Sequence, residues 1–244
     1  DGIPQSGSYT LSQHVFQIFL TVILRCVTPQ KAGDSMNIGI VGAGKVGFSF
    51  GRLLAEKGVR NLAITAAIPT AQEKPQNYKF RHYTDLGKLI EDSDAIFITV
   101  PDNAITEVYR QVAEFEIQDK YICHCSGACT AEEAFPGIHA QGAYAISIHL
   151  LFPISSKYNC WRELAGAFFC VEGDAQAVEV FVPLLRGLGL QVQTISPESK
   201  AQYHLSCALA SNFVCALVQR SAELLSGCGF SETDALHALA PLMR

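Results

Sequence analysis

The sequence has no concentrated positive charge. Its 18 Lys and Arg residues are spread along 244 residues and are outnumbered by 23 Asp and Glu residues, which leaves a formal net charge of −5. Proteins that bind nucleic acid carry a basic patch or stripe on their surface. We therefore expect no nucleic-acid partner.

The chain also lacks a disulfide framework. Its nine cysteines are an odd number without regular spacing, and most of them lie in apolar runs. This distribution favours reduced, buried thiols in a cytoplasmic protein. Cys123, Cys125 and Cys129 surround His124, but residues 121–125 have the pattern of a strand, in which Cys123 and Cys125 share one face. Because this spacing is not a zinc pattern, we expect no metal site.

The first 36 residues lack the basic leader and the small-residue cleavage site of a secretory signal. Residues 11–27 are apolar but are interrupted by polar residues, Arg25 among them, so they are marginal for a membrane span. Three interpretations stay open: a non-native leader, a membrane or targeting segment, and an additional packed helix. We expect no membrane association unless residues 11–27 form an anchor.

The strongest motif is the glycine-rich segment 37–47, in which a β-branched run enters a turn and the turn opens a helix. Gly42 permits a tight turn, Gly44 lets the backbone approach a pyrophosphate, and Gly47 lets the helix pack closely on its strand. The phosphates would then meet free N–H groups at the helix N-terminus. The motif predicts dinucleotide binding through Gly42, Ala43, Gly44, Lys45, Val46 and Gly47.

After this motif, strand-like and helical segments alternate. The alternation predicts the α/β class, with a Rossmann-type, doubly wound, mostly parallel sheet followed by an all-α domain. We assign residues 1–36 to an extension, 37–196 to the dinucleotide-binding domain and 197–244 to a helical substrate and dimerisation domain. Because the last helical pattern stops at Arg244, we expect this domain to be C-terminally truncated.

The end of the second strand lacks the acidic residue that holds the ribose 2′-hydroxyl in NAD enzymes. Ala66 and Ala67 occupy that position in the sequence. Basic side chains follow in the next loop, and they either face a 2′-phosphate or are solvated: Lys74, Lys79, Arg81 and His82. The sequence therefore favours NADP as the cofactor, with NAD as the alternative.

Other candidate site residues come from the ends of later strands. Val100, Pro101 and Asp102 are expected to border the nicotinamide ribose, together with Ser126, because ligands of doubly wound sheets bind at the carboxyl ends of strands. Ser126 is also a catalytic candidate, as is His149, whose unperturbed pKa lies near neutral pH. The alternatives are a turn role for Ser126 and a hydrogen-bonded strand end for His149.

A long helix is predicted over residues 196–226. It has no Asp, Glu, Lys or Arg between Lys200 and Arg220, so it is either buried on all sides or spans a membrane, and its polar residues favour burial. Lys200, His204 and Ser211 fall on one stripe of this helix, and Asn212 lies about 80° further round from His204. We expect the stripe to face an active-site cleft, where Lys200 or His204 polarises a carbonyl and Asn212 holds the substrate. Pairing at a domain or dimer interface is the alternative.

Several ordered segments resemble a known family: GAGKVG at 42–47, VPDNAI at 100–105, HCSGA at 124–128, SIH at 147–149, VEGD at 171–174, and KAQYH with ASN at 200–212. The family is bacterial and joins a Rossmann-like domain to a helical domain of unassigned function. It lies in the superfamily of 6-phosphogluconate dehydrogenase, pyrroline-5-carboxylate reductase, ketopantoate reductase and prephenate dehydrogenase. The resemblance implies an NAD(P)-dependent oxidoreductase that dimerises through its helical domain.

The resemblance also carries residue roles and departures from the family pattern. In similar prephenate dehydrogenases, a serine and a histidine placed like Ser126 and His149 contact the substrate and share proton transfer. In the sugar-acid dehydrogenases a lysine and an asparagine lie four residues apart on the long helix, whereas here His204 follows Lys200 at that spacing. Leu150 replaces the usual proline after His149, and the Ser-Arg pair common after the second strand is absent.

These observations predict an enzyme that transfers a hydride between NADP(H) and a small carbonyl, hydroxy or imine substrate. A non-catalytic dinucleotide-binding sensor or regulatory module is the alternative. A deazaflavin coenzyme paired with NADP is a third interpretation. We expect a cytoplasmic homodimer.

Overall fold

The computed structural model of the chain describes residues 36–59, 62–65, 81–158 and 160–243. These residues contain eight strands: β1 Ile38–Val41, β2 Leu62–Thr65, β3 Arg81–His82, β4 Ala95–Ile98, β5 Tyr121–His124, β6 Tyr144–Leu151, β7 Phe168–Gly173 and β8 Gln191–Thr194. They form one sheet in the order β3-β2-β1-β4-β5-β6-β7-β8. Neighbouring strands are parallel except β6 and β7, which are antiparallel.

The described part of the chain also contains nine α-helices: α1 Lys45–Glu56, α2 Leu86–Glu91, α3 Ile105–Val112, α4 Ala131–Ala134, α5 Trp161–Leu164, α6 Ala175–Gly187, α7 Lys200–Ala208, α8 Val214–Gly227 and α9 Glu232–Leu239. Side chains of α1, α5 and α6 belong to one buried apolar cluster, and those of α2, α3 and α4 belong to a second. The two clusters lie on opposite faces of the sheet. The predicted α/β fold, a doubly wound and mostly parallel sheet followed by helices, is confirmed.

The strands separate these two clusters by simple alternation. In β4, Ala95 and Phe97 belong to the first cluster, whereas Ile96 and Ile98 belong to the second. Successive side chains of a strand point to opposite faces, and a strand covered by helices on both faces is apolar throughout. The same alternation puts Cys123 in the first cluster. Among the described residues, no group of three or more His, Cys, Asp or Glu is arranged to hold a metal.

The position of His149 within its strand differs from the prediction. We expected the strand to end at His149, but β6 continues to Leu151. The antiparallel pairing with β7 extends it, since Leu151 is registered with Phe168. The local sequence pattern of β6 gives no information about its pairing with β7. The predicted end of the strand at His149 was therefore wrong.

The long helix was expected to be buried, and this expectation is wrong for the single chain. The helix consists of α7, a π-helical turn Leu209–Phe213 and α8. Leu217 and Leu224 are 68% and 60% exposed. Of the elements described after it, α9 packs on α8 and leaves most of the apolar surface uncovered. A sequence without charged residues indicates that a helix will be buried. It does not indicate whether the helix is buried by its own chain or by another one.

By length and composition, the continuous helical stretch Pro197–Gly227 could cross a membrane, with a mean hydropathy of 1.2 in its most apolar part, none of which is buried. However, its first turns are docked on the sheet, because Lys200 is buried there and Tyr203 bonds to His149. At least this end of the helix therefore packs against the protein.

Some predictions fall on residues outside those described. They concern the extension at residues 1–35, the two alanines after β2, and two of the lysines in the loop that follows: Ala66, Ala67, Lys74 and Lys79. These predictions stay untested by the coordinates. Arg81 and His82 are described, and both are exposed on β3.

Candidate active site

The glycine-rich turn joins β1 to α1, and two of its glycines are required by the packing of the protein itself. Gly42 has a φ of +126°, and a Cβ on it would lie 2.9 Å from the carbonyl carbon of Thr99. A Cβ on Gly47 would overlap the carbonyl oxygen of Gly42. Both glycines therefore allow the close approach of strand, turn and helix that a dinucleotide-binding turn needs.

Gly44 differs from these two glycines, because its surroundings are open. A Cβ built on it would meet no heavy atom of the described residues within 4 Å, its chain neighbours aside. Gly44 is also the N-cap of α1, and no side chain caps that end of the helix. Open space in front of uncapped N–H groups is the arrangement that binds a pyrophosphate. The residues present therefore fit a dinucleotide.

The other predicted residues of the turn surround this opening. Ala43 and Val46 are half-buried, and Ala43 packs against the first apolar cluster. Lys45 is exposed in the first turn of α1. The side chain of Lys45 is thus available to an anion at the helix N-terminus, where the helix dipole also favours negative charge.

The carboxyl ends of β4 and β5 continue the site from the turn. Thr99 follows β4, and its Oγ1 donates a hydrogen bond to the Gly42 carbonyl at 2.8 Å. Val100, Pro101 and Asp102 come next and are half-buried or exposed. The Oγ of Ser126 donates to Asp102 Oδ2 at 2.9 Å. These bonds hold the glycine-rich turn and the two strand ends side by side, at the carboxyl edge where ligands of doubly wound sheets bind.

Ser126 has a dense set of contacts within its own turn. Its Oγ accepts the backbone N–H groups of Ala128 at 3.1 Å and Cys129 at 3.2 Å, while its own N–H donates to His124 Nδ1 at 3.1 Å. Burial, with a smaller contribution from Lys200, lowers the pKa of His124 to about 3, so His124 is neutral and accepts this bond. These contacts shape the turn, and the predicted catalytic role of Ser126 stays a prediction.

His149 is held between two elements. Its Nδ1 lies 2.6 Å from the Tyr203 hydroxyl, and its Nε2 lies 2.8 Å from the position that a Cβ on Gly127 would occupy. A side chain at residue 127 would therefore displace the imidazole. Because Gly127 follows Ser126, His149 borders the same crevice as the strand ends.

The protonation states of this pair follow from its surroundings. Burial lowers the pKa of His149 to about 4, helped by the positive charge of Lys200, and burial raises the pKa of Tyr203 above its usual range. Both groups are uncharged at neutral pH. The thiols of Cys170 and Cys207 also help to raise the pKa of Tyr203. A tyrosine that donates its proton to Nδ1 leaves the His149 proton on Nε2, beside Gly127.

A cavity of about 640 Å³ opens between the end of β6 and the long helix. His149, His204 and Asn212 line it, and all three were predicted as site residues from the sequence. Tyr203, which the sequence analysis did not select, lines it as well. Tyr203 precedes His204 on the same helix, and its aromatic ring counts toward the apolar pattern, so the stripe of polar residues did not include it.

Lys200 lies against the paired strands β6 and β7 and is not part of the cavity wall. It is 1% exposed, and its Nζ donates to Ser147 Oγ at 2.5 Å and to Glu172 Oε1 at 3.2 Å. Glu172 is equally buried and also accepts the N–H of Ala131 at 2.9 Å. These bonds join the first turn of α7 to β6, β7 and α4. Of the two residues predicted to polarise a carbonyl, His204 borders the cavity and Lys200 supports the helix.

Residues 28–150 match the model of a Rossmann-like domain. The chain belongs to this Rossmann-like family. Residues 167–244 match a domain of unknown function, DUF2520, and this second match begins inside the sheet and includes β7 and β8. The resemblance predicted from the sequence, a Rossmann-like domain followed by a helical domain of unassigned function, is confirmed. No curated protein matches the sequence.

Several solved structures share the fold of this Rossmann-like protein. An NADH-preferring ketol-acid reductoisomerase from an uncultured archean has a TM-score of 0.65 at 17% identity, over 82% of this chain and 64% of that one. A reductive aminase from Aspergillus terreus, in complex with NADPH and ethyl levulinate, has a TM-score of 0.64 at 17% identity, over 85% and 72%. Pyrroline carboxylate reductase from Plasmodium falciparum, with NADP bound, has a TM-score of 0.58 at 10% identity, over 86% and 76%.

Proposed function

We propose that this Rossmann-like protein is an oxidoreductase that transfers a hydride between NADP(H) and a small carbonyl, hydroxy or imine substrate. The observation that carries the proposal is that two parts of the site lie near each other. The open helix N-terminus at Gly44 follows β1, and the neighbouring strands β4 and β5 lead to Asp102 and Ser126, which bond to each other. Gly127, the next residue, lies against His149 in the wall of the cavity that His204 and Asn212 also line. A cofactor and a substrate can therefore bind next to each other.

The choice of NADP over NAD has two supports. The reductive aminase and the pyrroline carboxylate reductase named above hold NADPH or NADP. The reductoisomerase of the same fold prefers NADH, so the fold by itself does not select the cofactor. In this sequence Ala66 and Ala67 offer no carboxylate to a 2′-hydroxyl, and Arg81 is exposed on β3 beside β2. We therefore propose NADP, with NAD as the alternative.

The chain supplies orientation and hydrogen-bond donors in this proposal. When bound, the cofactor supplies or accepts the hydride at its nicotinamide ring. In the reducing direction, the π electrons of the C=O or C=N bond move to the heteroatom, which then takes one proton from solvent. A His149 that carries its proton on Nε2 offers a hydrogen bond to that heteroatom, and His204 and Asn212 orient the remainder of the substrate.

The test begins with binding. NADPH should quench the emission of the single tryptophan, Trp161, or show energy transfer from the protein. A Gly44→Val variant should keep the wild-type melting temperature and weaken NADPH binding at least tenfold, because the new side chain fills the open space before α1. Gly187→Val is the matched control, since its Cβ also meets open space, in the C-terminal turn of α6.

Turnover is then measured as loss of NADPH absorbance with keto acids, ketones and imines. Reduction of one compound, lost on His149→Ala, would support the enzyme. Binding without turnover across the panel would favour the non-catalytic sensor. If wild-type protein showed no saturable response to millimolar NADPH or NADH, the proposal would be wrong, and unchanged binding by Gly44→Val would remove the pyrophosphate site assigned to the turn.

We also propose a homodimer formed through the long helix. Its exposed apolar side chains form a patch of the kind that monomeric proteins rarely leave in water: Leu205, Leu209, Phe213, Val214, Leu217 and Leu224. The absence of charged residues between Lys200 and Arg220 lets this face meet an identical face without bringing like charges together. A second copy of the chain is therefore the partner that suits the surface.

A further inference from the structure

Resting on the proposed function, we infer that the substrate is an uncharged, largely apolar carbonyl or imine compound, and that compounds bearing a carboxylate or phosphate are excluded. The inference concerns the cavity beside His149, which has a volume of about 640 Å³. This volume is typical of sites for small molecules and leaves room for several carbon atoms beyond the reacting group.

Among the described residues, the wall of the cavity contains no carboxylate, ammonium or guanidinium group. Thirteen described residues line it, and none of them is Asp, Glu, Lys or Arg. One side is the apolar end of β6 and the loop after it, including Leu150 and Phe152, and the other includes Tyr203 and Cys207. A carboxylate or phosphate placed here would lose its water without gaining a cation, which is far less favourable than burying a neutral carbonyl.

The polar groups of the wall are few, and several already have partners. The hydroxyl of Ser206 donates to the Gln202 carbonyl at 3.0 Å, and that of Ser211 donates to the Cys207 carbonyl at 2.6 Å. The Tyr203 hydroxyl is paired with His149 Nδ1. The donors left for a ligand are therefore His149 Nε2, the His204 imidazole and the Asn212 amide. This set suits a single carbonyl oxygen or imine nitrogen.

The cation buried nearby does not change this conclusion. Lys200 lowers the pKa of His149, so its charge is felt at the site, but its Nζ is already bonded to Ser147 and Glu172. The Glu172 carboxylate neutralises the ammonium where it lies. An anionic substrate in the cavity could not pair with Lys200, because Glu172 already neutralises it.

The experiment compares matched ligands on protein loaded with NADP⁺. The probes are 2-heptanone, 6-oxoheptanoate and methyl 6-oxoheptanoate, which share one chain and differ at the end remote from the ketone. Calorimetry and saturation-transfer NMR should show the ketone and the ester binding at least tenfold more tightly than the carboxylate. Asn212→Arg, which adds a cation to the wall, should reduce this ratio at least fivefold. Gln219→Arg adds the same charge on α8, outside the cavity, and should leave the ratio unchanged.

Each other outcome counts against a specific claim. Tighter or equal binding of 6-oxoheptanoate would overturn the inference, as would failure of all three probes to bind to NADP⁺-loaded protein. In both cases, a normal response of protein fluorescence to NADPH would leave the proposed oxidoreductase standing. The absence of that response would overturn the proposed function and this inference together.

Discussion

Among single residues, Tyr203 has the most direct influence on the candidate catalytic group. Its hydroxyl lies 2.6 Å from His149 Nδ1, and its raised pKa keeps the proton on the tyrosine at neutral pH. In this geometry the tyrosine selects which imidazole nitrogen carries the proton. It acts through His149 and is a positioning residue in our proposal.

Removing that hydroxyl should impair turnover more than binding. We expect Tyr203→Phe to lower kcat roughly tenfold with little change in KM, because the imidazole loses the partner that fixes its tautomer. Steady-state kinetics and ¹⁵N NMR of the histidines, which distinguishes tautomers, check this. Tyr83→Phe serves as the control. It also removes a partly buried hydrogen bond, the one from the Tyr83 hydroxyl to Asp92, but at the β2 end of the sheet, away from the candidate site. Unchanged kcat and ¹⁵N shifts in Tyr203→Phe would contradict the assignment.

At the scale of elements, the long helix is joined to the sheet by one buried ion pair. Lys200 is the first residue of α7, and Glu172 lies on β7. Burying an ion pair is expensive, and removing one partner is worse, because the other charge is left without compensation. Loss of either partner should therefore weaken the docking of α7.

A double-mutant cycle tests this docking. Lys200→Met should lower the free energy of unfolding by about 3–5 kcal/mol, and Glu172→Gln should also destabilise. The double variant should be more stable than Lys200→Met alone, since no charge is then left unpaired. Urea denaturation measures all three. Strictly additive losses would mean that the two side chains do not interact energetically.

The exposed face of the same helix gives a prediction about assembly. Leu217 is 68% exposed, so Leu217→Glu should leave the fold of each chain intact and convert a dimer into a monomer. Light scattering coupled to size exclusion measures the mass. Gln219→Glu, an exposed position on the same helix, is the control for added charge. A monomeric wild-type protein, or a dimeric Leu217→Glu variant, would argue against the proposed interface.

The elements also show how far the sequence could predict this molecule. The glycine turn and the apolar strands were predictable, because turn geometry and alternation are local properties. The partners of Lys200 were not predictable, since Ser147 and Glu172 lie 53 and 28 residues away along the chain. Which candidates line the cavity depends on how α7 packs against β6. The stripe predicts which side chains share a face of the helix, but not how far along the helix that face is covered by the sheet.

The whole molecule responds to acid through two buried imidazoles. The pKa of His149 is lowered to about 4 and that of His124 to about 3, against about 6.5 in an unfolded chain. Above pH 6.5 both residues are neutral in either state. Below pH 6.5, these two histidines bind protons in the unfolded chain but stay neutral in the folded protein. The free energy of unfolding therefore falls as the pH falls toward 4.

Urea denaturation between pH 7 and pH 4.5 checks this expectation. Each of the two residues should contribute a slope approaching 1.4 kcal/mol per pH unit in the lower part of this range. His149→Gln should remove about half of the combined slope. His237→Gln, at an exposed residue of α9, should leave it unchanged. Equal slopes in wild type and His149→Gln would show that His149 is not buried in its neutral form.

The reversal of chain direction between β6 and β7 has a mechanical consequence. Since β7 and β8 run against the other strands, the long helix begins beside Glu172 and climbs toward the carboxyl end of β6, where Tyr203 contacts His149. From Lys200 to Asn212 this climb is about 18 Å at 1.5 Å per residue. A tilt of about 5° pivoting at the ion pair would carry Asn212 sideways by ~1.6 Å, over this lever arm. The width of the substrate pocket therefore depends on the position in which a single lysine, Lys200, packs against the sheet.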